Sequence, residues 1–152
     1  MRGPNGEELP QAVLFACTQN AVRSPMAEHI MRHLFGKVVY VDSAGVRKGE
    51  RDDFVTEVMD EIGLSLAKHR PKSFDDMEEN SFDLVITLSP EAHHRAMELT
   101  RTSAAEIEYW PTQDPAAVEG SREQIIDAYR AVRDDLMRRI RARFAVSRAG
   151  ET

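Results

Sequence analysis

Apolar residues follow two alternating periods along the chain, and this alternation predicts strands and helices in turn. Short apolar or β-branched runs are typical of buried strands, whereas apolar residues that return every three or four positions mark one face of a helix. The pattern predicts four strands, at residues 11–16, 38–42, 82–88 and 106–110. It also predicts four helices, at residues 25–35, 53–62, 91–99 and 122–144.

The order of these elements predicts an α/β fold, in which a doubly wound parallel sheet carries helices on both faces. The first helix has a start signal, because Ser24 suits an N-cap and Pro25 suits the first helical position. The segment before this helix leaves the carboxyl end of the first strand. In sheets of this kind, ligands bind beyond that edge.

Length and composition fit one soluble domain. The chain has 152 residues, of which 41% are hydrophobic and 30% are charged, an ordinary balance for a globular protein. We expect a flexible N-terminal arm at residues 1–11, where glycine and proline recur. A single domain is expected at residues 12–146, followed by a flexible tail at residues 147–152.

Charge and hydropathy narrow the classes of partner. The net charge of −6 gives no reason to expect nucleic acid. The longest apolar run, residues 12–17, is far too short to cross a bilayer, so no membrane partner is expected. The first residues lack the pattern of a signal peptide, which favours a cytoplasmic location. The arginine-rich C-terminal helix is interpreted as a solvated face, with docking of an acidic partner as the alternative; the sequence does not indicate an oligomeric state.

Metal binding is not predicted. The chain has one cysteine, which excludes an intramolecular disulfide and any site built from several cysteines. His29 and His33 have the i, i+4 spacing that zinc sites can use, but no third ligand is apparent near them in the sequence. His93 and His94 point to different helix faces. We interpret both pairs as solvated or half-buried helix positions.

The candidate chemistry lies in the loop after the first strand, which contains Cys17, five further residues, and then Arg23 and Ser24. Such a loop can curl around a tetrahedral anion and point backbone N–H groups at it, and the following helix adds its N-terminal N–H groups. The planar fork of Arg23 can hold two oxygens at once. The predicted phosphate ligands are Thr18, Gln19, Asn20, Ala21, Val22, Arg23 and Ser24.

Cys17 would lie beneath the anion, aimed at its central atom. The loop and helix N-terminus stabilise a thiolate there, Ser24 can donate a hydrogen bond to the sulfur, and Asn20 tolerates a left-handed backbone. The alternatives are a buried strand-end cysteine at Cys17 and a surface charge at Arg23. The strand before the loop and the Ser-Pro helix start after it favour a nucleophile.

Residues 13–28 resemble the opening of the low-molecular-weight protein tyrosine phosphatases and of the related thiol-coupled arsenate reductases. Three further matches are Asp42-Ser43-Ala44-Gly45, His69-Arg70 and Asp114-Pro115. The resemblance implies a four-stranded parallel sheet in the order 2-1-3-4 and a reaction that needs no metal or other cofactor.

The resemblance also implies roles outside the loop. Asp114 would protonate the leaving group and then activate water, and Ser43 and His69 would brace the loop through Asn20. Many tyrosine phosphatases of the family follow the Asp-Pro pair with a tyrosine that walls the substrate's ring, but alanines stand there in this chain. Tyr109 or Trp110 is the expected substitute wall.

The sequence therefore predicts a phosphomonoester hydrolase with a phosphocysteine intermediate, and more narrowly a protein tyrosine phosphatase. Its substrate would be a phosphotyrosine protein or a small phosphoester. The first alternative is an arsenate reductase that uses an external small thiol, since the thioredoxin-coupled reductases need further cysteines and Ser89 stands where the first would be. The second alternative is a phospho-ligand binding or regulatory protein without turnover.

Overall fold

The computed structural model describes residues 9–77, 81–101 and 103–144. In these segments four strands alternate with four helices, as the hydrophobic pattern predicts. The strands are β1 (Ala12–Cys17), β2 (Tyr40–Gly45), β3 (Leu84–Thr87) and β4 (Glu106–Tyr109). The helices are α1 (Arg23–Phe35), α2 (Asp53–Asp60), α3 (Pro90–Leu99) and α4 (Arg122–Phe144), and short 3₁₀ turns lie at Phe74–Asp76 and Pro115–Ala117.

All four strands are parallel and lie in the order β2-β1-β3-β4, which confirms the predicted topology. The first strand is central, so its carboxyl end lies between the ends of β2 and β3. The register places Cys17 opposite Gly45 on one side and Ala16 opposite Thr87 on the other. The loops that follow β1, β2 and β3 therefore meet at one edge of the sheet.

Side chains of β1 alternate between two hydrophobic clusters, as the pleat requires. Val13, Phe15 and Cys17 join the larger cluster, which also contains apolar residues of α1, α2 and α4. Leu14 joins the smaller cluster on the other face, together with Ala96 of α3. Both faces of the sheet are thus covered by helices.

Most element boundaries differ from the predicted ones by one or more residues, and two of these differences bear on the site. Helix α1 begins at Arg23, with Val22 at the N-cap position and no described side chain capping it, so Ser24 is a helical residue rather than the cap. Its hydroxyl group instead contacts the sulfur of Cys17. The second strand runs from Tyr40 to Gly45 instead of residues 38–42, because it pairs with β1 over the full length of that strand.

The packed domain begins earlier than predicted. Leu9, in the predicted flexible arm, is buried in the larger cluster. Gln11 donates its backbone N–H to Asp83 Oδ2 at 2.9 Å and accepts a hydrogen bond from the backbone N–H of Tyr40. Residues 9–11 are therefore part of the packed structure. Residues 1–8, the predicted domain end at 145–146 and the predicted tail at 147–152 lie outside the described residues.

The long helix α4 has the predicted boundaries, and the apolar residues that recur along it are buried, apart from the half-buried Ile125. Its periodicity did not reveal that Arg133 is buried too, where its Nη1 donates to the backbone oxygen of Val58 and to Glu61 Oε1. Arg130 also binds Glu61, and these arginine hydrogen bonds lower the pKa of Glu61 to about 2. Among the described residues, every helix lacks the length or the apolar character that a membrane span needs.

Candidate active site

The loop from Cys17 to Arg23 forms the floor of a cavity of about 500 Å³ at the carboxyl edge of the sheet. The Cys17 side chain ends β1 and is buried at the base of the loop. The other lining residues come from the loop after β2 and from the segment after β4. The full lining is Cys17, Thr18, Gln19, Ala21, Val22, Arg23, Arg47, Lys48, Gly49, Glu50, Arg51, Asp52, Asp114 and Ala116.

Ser24 contacts the sulfur of Cys17 through two groups. Its Oγ lies 2.9 Å from Cys17 Sγ, and its backbone N–H donates to the same sulfur at 3.4 Å. Asn20 Nδ2 donates to Ser24 Oγ at 2.9 Å, which leaves the hydroxyl proton of Ser24 free to point at the sulfur. Both groups of Ser24 can therefore donate a hydrogen bond to the sulfur of Cys17.

Asn20 connects the loop to its surroundings. It is fully buried and has a positive φ of 55°, in the left-handed region that asparagine tolerates better than most residues. Its Nδ2 also donates to Ser43 Oγ at 2.8 Å, and its Oδ1 accepts the backbone N–H of Lys72 at 2.9 Å. His69 Nε2 lies 3.1 Å from the backbone oxygen of Asn20. The structure thus places Ser43 and His69 against Asn20, where the resemblance implies them.

A second layer behind Asn20 was missed in the sequence. Glu28 of α1 is buried and accepts the hydroxyl of Ser43 on Oε1, while Arg32 Nη2 lies 2.5 Å from its Oε2. A carboxylate between the buried apolar residues Ala27 and Ile30 of α1 was the available signal. Glu28 also joins His29 and His69 in the one cluster of three potential metal ligands that the described residues contain.

Glycine allows the segment after β2 to run against the loop. A Cβ on Gly45 would lie 2.7 Å from the backbone nitrogen of Asn20, so a side chain would collide with the loop. Beyond it, Arg47 donates its backbone N–H to the Thr18 oxygen and Gly49 donates to the Gln19 oxygen, each at 2.9 Å. The loop is therefore held from outside along its length.

Arg23 and Asp114 meet above the loop. The Arg23 side chain is largely buried, and its Nη1 donates to the backbone oxygen of Thr112 at 3.0 Å. Its Nη2 lies 3.7 Å from Asp114 Oδ2. Asp114 Oδ1 accepts the backbone N–H of Ala116 at 3.0 Å, and the side chain is 42% exposed. The carboxyl group is thus fixed in direction but open to the cavity.

The structure does not bring Tyr109 or Trp110 to the cavity. Tyr109 stacks on His93 of α3, with ring centroids 4.7 Å apart. Trp110 packs on the opposite side, edge-on to Phe15 at 6.3 Å, in the hydrophobic core. Consecutive residues at the end of β4 point to opposite faces of the sheet, so both rings pack against elements of the fold.

The wall opposite the loop is formed by residues 47–52 instead, and no aromatic side chain lines it among the described residues. Asp52 Oδ1 caps α2, and its Oδ2 accepts the hydroxyl of Tyr129 at 2.7 Å. Burial is the largest cause that raises the pKa of the Tyr129 hydroxyl well above its usual value, and the hydrogen bond to Asp52 is the second. This hydroxyl therefore stays protonated. The strand order was the available indication of this wall, because β1 and β2 are parallel neighbours and the segments that follow them lie at the same edge of the sheet.

Ser89 lies beside the loop. Thr18 Oγ1 donates to Ser89 Oγ at 3.0 Å, and Ser89 is almost fully buried at the start of α3. The position where the resemblance places a second cysteine of the thioredoxin-coupled reductases is thus adjacent to the loop in space. Here it carries a hydroxyl group.

Known proteins resemble the chain over most of its length. A curated arsenate reductase of Halalkalibacterium halodurans is 30% identical over 131 residues, covering 86% of this chain and 93% of that protein. The structure of an arsenate reductase from Archaeoglobus fulgidus has a TM-score of 0.68 and 28% identity, over 88% of this chain and 98% of that one. A low molecular weight protein tyrosine phosphatase from T. tengcongensis has a TM-score of 0.69 and 26% identity, over 86% and 95%.

The curated relatives are named arsenate reductase and the solved structures carry both names, so the similarity supports one shared class, the cysteine-dependent phosphatases and arsenate reductases, and backs the predicted alternative better than the tyrosine phosphatase. The family model described as low molecular weight phosphotyrosine protein phosphatase matches residues 12–148. This match covers nearly the whole chain, and the chain therefore belongs to the low molecular weight phosphotyrosine protein phosphatase family.

Proposed function

We propose that the protein is a phosphomonoester hydrolase in which Cys17 is the nucleophile. One observation carries this proposal: a single cavity brings together a buried thiol that contacts Ser24, the guanidinium of Arg23, and the exposed carboxyl group of Asp114. These are the nucleophile, the anion clamp and the proton donor that phosphoester hydrolysis needs. Thr18 to Ser24 would bind the phosphate oxygens mainly through their backbone N–H groups.

In the first step the Cys17 thiolate attacks phosphorus in line with the leaving oxygen. The S–P bond forms, the P–O bond breaks, and Asp114 gives its proton to the departing oxygen. Arg23 and the loop N–H groups stabilise the charge on the equatorial oxygens. The Thr112 carbonyl holds one end of the guanidinium, which orients its remaining N–H groups.

In the second step water attacks the phosphocysteine. The Asp114 carboxylate takes a proton from this water, the S–P bond breaks, and inorganic phosphate leaves together with the restored thiolate. The Asn20 side chain, Ser43 and His69 would act as positioning groups, because these side chains support the loop from behind and leave phosphate binding to the backbone N–H groups and Arg23.

The narrower prediction of a protein tyrosine phosphatase has less support than the broader prediction of a phosphomonoester hydrolase. Residues 47–52 give the cavity a polar and charged wall, including Arg47, Lys48 and Glu50. Such a wall suits a polar phosphoester at least as well as a phosphotyrosine ring. We therefore propose that the substrate is a phosphomonoester and do not specify its leaving group, which the assays below compare.

An arsenate reductase that uses an external small thiol is the second candidate, because the curated relatives carry that name. Cys17 would attack arsenic and displace water; a small thiol would then attack the Cys17 sulfur and release arsenite, and a second thiol would reduce the mixed disulfide. Both electrons must come from outside, since the chain has one cysteine and Ser89 lies beside the loop. Hydrolysis needs only water, and it is the function that this chain can complete alone.

One set of assays separates the candidates: an aryl phosphate, a phosphotyrosine peptide, and arsenate with and without a small thiol, each with wild type and Cys17→Ser. Release of phosphate by wild type only supports the hydrolase. Thiol-dependent arsenite release without phosphatase activity would replace it with the reductase. Tight phosphate binding without either product would identify a phospho-ligand binding protein.

A further inference from the structure

A cluster of three side chains lies behind the phosphate loop, outside the residues that line its cavity. Glu28 and His29 come from α1, and His69 lies beyond α2 in the chain. One ligand atom of each lies within 4.8 Å of the other two. Their side chains are only 6%, 19% and 10% exposed, so the cluster is mostly dry.

The contact between His69 and the loop decides which of its nitrogens carries the proton. Its Nε2 lies 3.1 Å from the backbone oxygen of Asn20, which can only accept a hydrogen bond. Nε2 is therefore protonated, and in the neutral ring Nδ1 carries a lone pair. This Nδ1 lies 3.9 Å from Glu28 Oε1, too far for a hydrogen bond.

His29 presents a second nitrogen to the same carboxylate. Its Nε2 is buried, has no hydrogen-bond partner among the described residues, and lies 3.9 Å from Glu28 Oε2. Its ring lies edge-on to that of His69, with ring centroids 5.9 Å apart.

We propose that Glu28, His29 and His69 form a binding site for a divalent transition-metal ion of the Zn²⁺ class. Two imidazole nitrogens and one carboxylate oxygen are ligands that Zn²⁺ accepts, with water in the fourth position. A histidine whose other ring nitrogen donates to a backbone carbonyl has the orientation usual for a metal ligand. The sequence pairs His29 with His33, but the fold instead brings it to His69, forty residues along the chain.

The geometry requires a small closure. Bonds of about 2.0–2.2 Å in a tetrahedral arrangement separate ligand atoms by about 3.3–3.6 Å. Here the two histidine nitrogens lie 3.9 Å from different oxygens of Glu28, and the three ligand atoms lie within 4.8 Å of one another. Rotation of these side chains would have to close the difference. Arg32 opposes the ion, because its guanidinium already pairs with Glu28 Oε2. The carboxylate has lone pairs for both partners, so Arg32 weakens the site without blocking it.

Metal binding would affect the loop from Cys17 to Arg23 through two contacts. Glu28 accepts the hydroxyl of Ser43, which binds Asn20, and His69 holds the backbone oxygen of Asn20. An ion that fixes both side chains should stiffen this support, and it should stabilise the folded state by mass action.

The test uses the full chain with Cys17→Ser, so that the thiol cannot bind the metal. Titration with Zn²⁺ by calorimetry should show one site per chain, and Zn²⁺ should raise the melting temperature. Co²⁺ should give the strong visible absorption of a four-coordinate ion, without a thiolate charge-transfer band. Added to this background, His29→Phe should weaken binding at least 100-fold while keeping the edge-on ring contact with His69.

The matched control is His33→Phe, one turn further along α1 on an exposed position, which should bind as tightly as the parent. Arg32→Met should tighten binding about tenfold, because it removes the opposing cation. The proposal is overturned by the absence of saturable binding, by equal effects of His29→Phe and His33→Phe, or by an affinity that Arg32→Met leaves unchanged.

Discussion

Two loops leave the same edge of the sheet and lead into helices, but a side chain caps the N-terminus of only one of these two helices. After β3, Ser89 caps α3: its Oγ accepts the backbone N–H of Ala92 at 3.2 Å, and Pro90 takes the first helical position. After β1, the N-cap position of α1 holds Val22, and no described side chain caps the helix. The first loop follows the usual sequence rules and the second departs from them.

The difference supports the proposal that the loop after β1 binds an anionic ligand. A helix end whose N–H groups are satisfied by a serine has little need of an anion, whereas an uncapped end retains N–H groups for one. The loop after β1 also contains the left-handed residue Asn20 and a buried polar network around it. Local rules are expected to fail where structure is held for function.

Removal of the nucleophile should have the largest effect. We expect Cys17→Ser to lower aryl phosphate hydrolysis by about 10⁴-fold or more, because a serine hydroxyl without a neighbouring base is a poor nucleophile. The fold should persist, since a hydroxyl can still contact Ser24. Initial rates and circular dichroism on the same preparation check both points, and hydrolysis near the wild-type rate would rule out the thiol mechanism.

Arg23→Lys should come next, with a loss of about 10²–10³-fold despite the conserved charge. Lysine is a point charge and cannot hold two oxygens or keep the contact with Thr112 in the same geometry. The control is Arg47→Lys in the cavity wall, whose exposed guanidinium pairs with Glu91 and which should stay within a few-fold. Equal activity of the two variants would show that the clamp needs only charge.

Asp114→Asn should slow the reaction by about 10²-fold or more for poor leaving groups and much less for activated aryl phosphates. The measurement is a series of aryl phosphates of different leaving-group acidity, with Glu50→Gln as a control on the exposed wall. The slope against leaving-group acidity should steepen for Asp114→Asn only. An unchanged slope would move the proton donor to another residue.

The sequence was a good guide wherever neighbouring residues decide the outcome. The bounds of α4 and the order of all eight elements follow from short-range periodicity. The bounds of β2 do not, because pairing with β1 extends that strand to Gly45. The loop could also be predicted from neighbouring residues, because only five residues separate Cys17 from Arg23 in the sequence.

Residues that reach the site across the fold could not be predicted in the same way. Glu28 is recognisable as a support only once Ser43 of β2 lies against it. Tyr109 and Trp110 were predicted for the wall because of their residue types, but Tyr109 stacks on His93 of α3 and Trp110 packs against the hydrophobic core. The polar wall at residues 47–52 comes from the neighbouring strand end, which depends on the sheet order.

Asn20→Ala tests how much the hydrogen bonds of Asn20 contribute to the stability and the activity of the loop after β1. The change removes hydrogen bonds to Ser24 and Ser43 and places alanine at a φ of 55°. We expect the free energy of unfolding to fall by roughly 2 kcal/mol or more. Activity per folded molecule should fall at least about tenfold, because Ser24 loses the partner that orients its hydroxyl toward the sulfur. Unchanged activity would show that the loop holds its shape without this network.

Ser89→Ala is the corresponding change in the other loop and should have the smallest effect. It removes the cap of α3 and the acceptor of the Thr18 hydroxyl. Loss of a cap typically lowers the free energy of unfolding by about 1 kcal/mol. Activity should stay within a few-fold, because Thr18 would bind phosphate through its backbone N–H, which the change does not touch. Denaturant unfolding and steady-state rates on both variants complete the comparison. A loss of activity as large as that of Asn20→Ala would mean that the capped loop belongs to the phosphate site, and the contrast between the two loops would no longer hold.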